Sequence, residues 1–318
     1  MSTPVTVIGG YLGAGKTTLI NAILRRADGL RIAVLVNEFG ALPIDEDLII
    51  AQDSDVISIA GGCICCSFGD SLVDAFTKLL ALDPSPDHVV IEASGVAIPA
   101  SIAATLSLVQ GVTFLGTVAL ADAETVRDRA RDRYMGDTII RQLEGADIVL
   151  LSKPDLVSAE KIATLKEWLK EIASGAQVIA AESGQVPNAI VLGAFPFGSR
   201  TAYPAPEDHG ALYKSLALEL NGSVNPADLQ RILADPSLGI LRAKGSFESA
   251  PGAFTEIQAV GTRVTYTKAD AAPKHCGLVC IGLAARFDAE RVLRVLTRLG
   301  VTVAASPENA KCETWSHW

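Results

Sequence analysis

Val5-Thr6-Val7-Ile8-Gly9-Gly10-Tyr11-Leu12-Gly13-Ala14-Gly15-Lys16-Thr17-Thr18-Leu19-Ile20 is the stretch that decides the fold. A short apolar, β-branched run delivers the chain into a glycine-rich loop, and a segment with apolar residues at helical spacing opens at Thr17. Strand, loop and helix in this order are the setting in which G-x-x-x-x-G-K-[ST] cradles phosphate. The glycines let backbone N–H groups wrap an anion, and the helix N-terminus adds positive potential. Lys16 can reach the outer phosphates, and the Thr17 hydroxyl can ligate Mg²⁺. Gly10, Gly13, Ala14, Gly15, Lys16, Thr17 and Thr18 are the predicted phosphate-binding residues. The expected activity is hydrolysis of a bound nucleoside triphosphate.

Outward from this loop, short apolar runs alternate with helix-length segments. Strands are predicted at 5–8, 32–36, 56–60, 89–91, 113–120, 148–151 and 178–180, and helices at 17–25, 71–82, 100–109, 138–144 and 158–172. That alternation predicts a doubly wound α/β P-loop NTPase domain, a mainly parallel sheet covered by helices on both faces. Pro196, Gly198, Pro204, Pro206 and Gly210 then give the chain the texture of a linker. Further strands are predicted at 213–220, 239–245, 254–260, 263–267 and 278–283, with helices beginning near Asn225-Pro226 and over 288–299. These make a smaller α+β C-terminal domain. The expected division is a P-loop domain over 1–195, a linker over 196–212 and the C-terminal domain over 213–318.

With 49% hydrophobic and 20% charged residues the chain has material for a buried core, which excludes a disordered protein. Its 27 basic and 36 acidic residues leave a formal charge of −9, which opposes a broad grip on nucleic acid or an anionic membrane. The stretch 93–121 is uncharged and long enough to span a bilayer, but Pro99, Gly111 and Gly116 interrupt it. A buried helix followed by a buried strand is the better reading. The first residues carry no basic region or long apolar run, so a cytoplasmic protein is expected. Six cysteines without secretory features point to metal or thiol chemistry rather than a disulfide framework.

In Val89-Val90-Ile91-Glu92-Ala93-Ser94-Gly95, Glu92 stands at a strand end, where a P-loop protein needs an acid to organise metal and attacking water. Gly95 allows close backbone approach to a terminal phosphate. The bland alternative for Glu92 is a solvated carboxylate. Base choice is suggested by Ile148-Val149-Leu150-Leu151-Ser152-Lys153-Pro154-Asp155. The Asp155 carboxylate can accept from the guanine N1–H and N2 amino group, which adenine lacks, while the Lys153 stem packs along the base. Guanine is favoured. Ser152 occupies the place where G proteins carry Asn, so the amide contact is lost or replaced; a plain turn before a helix is the competing reading of the whole motif.

Gly61-Gly62-Cys63-Ile64-Cys65-Cys66 follows a predicted strand, which puts three sulfurs at the sheet edge that carries the phosphate loop. Cys63, Cys65 and Cys66 make a set suited to Zn²⁺ or another thiophilic ion, the alternative being buried apolar thiols. Glu38, in Val36-Asn37-Glu38-Phe39-Gly40, is the candidate fourth ligand, and it could equally position Mg²⁺ or water.

Together these motifs resemble the CobW-like metal-chaperone GTPases, relatives of the nickel chaperones for urease and hydrogenase. The resemblance rests on residues 10–18, Asn37-Glu38-Phe39-Gly40, the C-x-C-C pattern ending at Cys66, Glu92-Ala93-Ser94-Gly95 and Ser152-Lys153-Pro154-Asp155. Ile240-Leu241-Arg242-Ala243-Lys244-Gly245 and Gly277-Leu278-Val279-Cys280-Ile281-Gly282 match the family's C-terminal module more loosely. It implies GTP and Mg²⁺ as ligands, Zn²⁺ or Co²⁺ as cargo, a client metalloprotein as recipient, and a homodimer as a candidate assembly. A small-molecule kinase with a structural zinc site, and a metal-binding scaffold indifferent to nucleotide, are the rival readings. Many members carry a histidine-rich loop, whereas this chain has 4 His, at His88, His209, His275 and His317, which disfavours bulk metal storage. A second site built from His275, Cys276, Cys280, Cys312 and His317 is less favoured than unrelated packing positions.

Overall fold

The computed structural model describes residues 2–27, 29–37, 56–61, 70–182, 185–193, 213–269, 272–273, 276–299 and 302–305. Glu38, Cys63, Cys65, Cys66, the expected linker over 196–212, and His209, His275, Cys312 and His317 lie outside the described residues. Contacts along the chain divide it into two compact units, Met1–Leu192 and Gly193–Trp318.

The first unit runs β1 (Thr3–Gly10), α1 (Lys16–Arg25), β2 (Ile32–Asn37), β3 (Val56–Gly61), α2 (Asp70–Leu80), β4 (His88–Glu92), α3 (Pro99–Leu106), β5 (Val112–Asp122), α4 (Val126–Arg129), α5 (Gly136–Glu144), β6 (Ile148–Ser152), α6 (Ala159–Ile172), β7 (Gln177–Ala181) and α7 (Asn188–Val191). Its seven strands lie in the order β3-β2-β4-β1-β5-β6-β7, and every pairing is parallel. Both faces are apolar: Val5, Val7, Val89 and Ile91 join Leu72, Phe76 and Ile102 of α2 and α3 in one cluster. The alternate residues Ile8, Val34, Val90 and Val118 are buried as well, as are Leu19, Ile20 and Ile23 of α1. Near-continuous apolar strands are what a parallel sheet covered on both faces requires.

The strand order reverses around β1, because the chain leaves it toward β2 and β3 on one side and later crosses to β5, β6 and β7 on the other. The C-terminal end of β1 is therefore the switch point, where open parallel sheets bind ligands. The uncharged stretch 93–121 resolves into a helix and a strand: α3 buries Pro99, Ile102 and Leu106 and leaves its other face to solvent, whereas most of β5 is buried. Among the described residues no helix is long and apolar enough to cross a membrane.

The second unit contains β8 (Tyr213–Asn221), α8 (Pro226–Leu233), β9 (Ile240–Ala250), β10 (Ala253–Val260), β11 (Arg263–Lys268), β12 (Gly277–Leu283), α9 (Ala289–Thr297) and β13 (Thr302–Ala305). These strands form an antiparallel sheet ordered β11-β10-β9-β12-β8-β13. Both helices open on side-chain caps, Asn225 accepting from Ala227 N–H and Asp288 from Arg291 N–H. Leu216, Leu218, Phe247, Ile257 and Leu278 of the sheet pack with Leu229 and Leu233 of α8 and Val292 and Leu296 of α9. Cys280 belongs to this core, and burial pushes its thiol up to about 12. Its place among apolar side chains makes Cys280 a packing position of this core.

Candidate functional site

The glycine-rich loop follows β1 and closes on α1. Gly10, Gly13 and Gly15 all have positive φ, at 130°, 78° and 97°. Gly10 has a further reason to lack a side chain, because a Cβ there would stand 2.5 Å from the Leu120 carbonyl oxygen of β5. α1 begins at Lys16 with no side-chain cap and no acidic residue in its first turn, the setting in which a helix N-terminus suits an anion. Lys16 is buried, and its ammonium donates to the Gly10 carbonyl at 3.1 Å. Thr17 is half-buried, while Thr18 faces solvent.

Parallel register sets Glu92 of β4 beside Ile8 of β1. Its buried carboxylate accepts a hydrogen bond from the Thr17 hydroxyl at 3.3 Å, so the expected acid and the expected Mg²⁺ ligand meet. Gly95 lies against the loop itself: a Cβ there would fall 2.6 to 2.8 Å from Leu12. The turn it belongs to is closed by Ala97 N–H donating to the Ser94 carbonyl.

On the other side of β1, Ser152 ends β6 and donates its hydroxyl to the Ala14 carbonyl at 2.7 Å. Where sequence leaves open whether the expected amide contact is lost or replaced, the structure supplies a hydroxyl bond to the phosphate loop. Lys153 adopts a left-handed conformation (φ 53°), and its ammonium pairs with Asp122 at 2.7 Å. Asp155 is exposed, in the one-turn helix Pro154–Leu156.

The metal ligands proposed from sequence are not described, but the strands leading to them are. β2 and β3 end side by side with Asn37 opposite Gly61, and Val36 lies opposite Glu92. Among the described residues no group of three or more His, Cys, Asp or Glu could hold a metal ion.

Residues 4–180 match the family model described as CobW/HypB/UreG, nucleotide-binding domain, and residues 213–299 match that of the cobalamin synthesis protein cobW C-terminal domain. The chain belongs to the CobW/HypB/UreG family. It is 33% identical to the zinc chaperone CobW of a Sinorhizobium species over 88% of this chain and 92% of that protein. Against the zinc chaperone YjiA of Escherichia coli it is 32% identical, over 76% of this chain and 80% of the relative. The crystal structure of Zn(II)-bound YjiA GTPase from E. coli aligns with 94% of this chain and 99% of that one, at 24% identity and a TM-score of 0.47.

In this CobW/HypB/UreG member, sequence reading passes over three neighbours of the loops. Asp122 holds Lys153, and was legible only as an acid closing an apolar run. Arg129 of α4 sits over the Tyr11 ring of the phosphate loop, 5.0 Å from its centroid. Gln142 of α5 is buried on a helix face otherwise formed by Ile139 and Leu143, and its amide nitrogen donates to the carbonyls of Gly95 and Ala97. Its signal was a polar residue at an apolar helical position.

Proposed function

We propose that this chain is a GTP-hydrolysing metallochaperone that carries Zn²⁺, or a similar thiophilic divalent ion such as Co²⁺, on Cys63, Cys65 and Cys66 with Glu38, and releases it to a client metalloprotein in step with its nucleotide cycle. The observation that carries this reading is the register at the edge of the sheet. Glu92, Asn37 and Gly61 end three adjacent strands, so the segments bearing Glu38 and Cys63 start about 5 and 10 Å from the acid beside the phosphate loop, at ordinary strand spacing. The zinc-chaperone relatives support the choice of cargo.

In this reading the backbone from Gly13 to Thr18 and the Lys16 ammonium bind the phosphates. Thr17 and Glu92 present paired oxygens that suit a hard cation, and Mg²⁺ bound there would neutralise charge between the β- and γ-phosphates. Glu92 orients the attacking water, and Gly95 brings its backbone close to the terminal phosphate. Ser152, Lys153 and Asp155 form the base pocket, with Ser152 tying it to the phosphate loop.

Guanine selectivity tests this assignment. GTP should displace a bound fluorescent GDP far better than ATP, because a site built to hydrogen-bond one ligand rejects the analogue lacking those donors. Asp155→Asn should weaken GTP specifically. Equal displacement by ATP and GTP would remove the base pocket from the reading.

A further inference from the structure

We infer that Gln142 is a positioning residue for GTP hydrolysis, holding the Glu92–Ala97 segment at the distance from the phosphate loop at which it works. The inference rests on the GTPase reading above. The segment is fixed at three points. Ala93 N–H donates to the Ile8 carbonyl at 2.8 Å, which anchors its start to β1. Gly95 touches Leu12 of the phosphate loop so closely that no side chain fits between them. Gln142 closes the third side: its Nε2 donates to the Gly95 carbonyl at 3.1 Å and to the Ala97 carbonyl at 2.8 Å.

Gln142 is 2% exposed and Gly95 is buried, so a side chain without the amide protons would strand the Gly95 carbonyl and release the half-buried Ala97 carbonyl. The peptide plane adds a consequence. With the Gly95 carbonyl turned toward α5, the Val96 N–H of the same trans peptide is turned away from α5. Among the described residues neither Gly95 N–H nor Val96 N–H has an acceptor. Gln142 thus aims one donor that the protein itself does not use, the Val96 N–H, in the segment that also carries Glu92. Its place on α5 extends the hydrolytic centre beyond the loop residues that a motif can reveal.

The test uses the full chain. Gln142→Met keeps the length of the side chain but cannot donate, and should lower kcat for GTP about 10–100-fold, the cost of a small misplacement of reacting groups. Its Kd for GDP should stay within about threefold of wild type, because the phosphate loop is untouched. Leu143→Val, which loosens the same helix without touching these hydrogen bonds, should keep kcat near wild type. Wild-type kcat in folded Gln142→Met, or an equal fall in Leu143→Val, overturns the proposal. Independently of hydrolysis and of any variant's folding, NMR of the wild-type chain should show two distinct, slowly exchanging Gln142 Nε2 protons. A pair exchanging as a surface glutamine does would also overturn it. Should wild type hydrolyse no GTP, the GTPase reading fails, and the Gln142 geometry is still decided by that spectrum.

Discussion

In the proposed site the two sides of β1 would meet a nucleotide with different materials. On the phosphate side the groups are backbone amides, a buried Lys16 and a buried Glu92, set by strand register and by glycines whose side chains would collide with Leu120 or Leu12. On the base side, above the buried Ser152, they are side chains: an exposed Asp155, a half-exposed Lys153 and the Asp122 that pairs with it. The phosphate side is pre-built by the fold, whereas the base side is assembled on top of it. Damage should therefore be severe and chemical on one side, graded and selective on the other.

Lys16→Ala should break the phosphate side outright. The ammonium compensates charge that backbone donors alone cannot, so triphosphate affinity should fall about 100-fold or more, measured by calorimetry, with folding retained. Wild-type hydrolysis in this variant would erase the distinction between the two sides. Gly95→Ala comes next. Its Cβ would meet Leu12 backbone nitrogen at 2.8 Å, so the segment must retreat from the loop, and kcat should drop about 10-fold or more while GDP affinity holds. Asp122→Asn should be mildest. The Lys153 side chain is 40% exposed, so losing the pair should cost under about 1 kcal/mol in denaturant unfolding. Guanine-nucleotide affinity should fall about fivefold as Lys153 loses its fixed pose. A collapse in stability would mean that the base side is as integral to the fold as the phosphate side.

Much of this was legible because the deciding signals are local. Residues 5–20 announce strand, loop and helix within one short stretch, and Glu92 and Ser152 each close an apolar run, on strands that the sheet sets on opposite sides of β1. What escaped depends on contacts distant in sequence. Gln142 stands as a polar residue at an apolar helical position, but its partner shows only when α5 is laid behind Gly95, 47 residues earlier. α4 is a four-residue helix of alternating charge, too short for a period, and β13 is a four-residue edge strand defined by its pairing with β8 rather than by its own pattern. β9 runs on to Ala250, beyond the predicted 239–245, because β10 pairs with it there although Ser246, Glu248 and Ser249 dilute the apolar run.

Cys63, Cys65, Cys66 and Glu38 are conspicuous in sequence, and their tie to the nucleotide is the central claim. It is tested most directly by titrating Zn²⁺ against a competing chelator with GDP, with a non-hydrolysable GTP analogue and with no nucleotide, then repeating on the Cys63→Ser, Cys65→Ser, Cys66→Ser triple variant. Linked sites change one another's affinity by the same factor, so zinc affinity should differ between nucleotide states by about 5–150-fold and the triple variant should lose both the binding and the difference. Identical zinc affinity in all three states would contradict the account and leave a nucleotide-independent metal site on a GTPase.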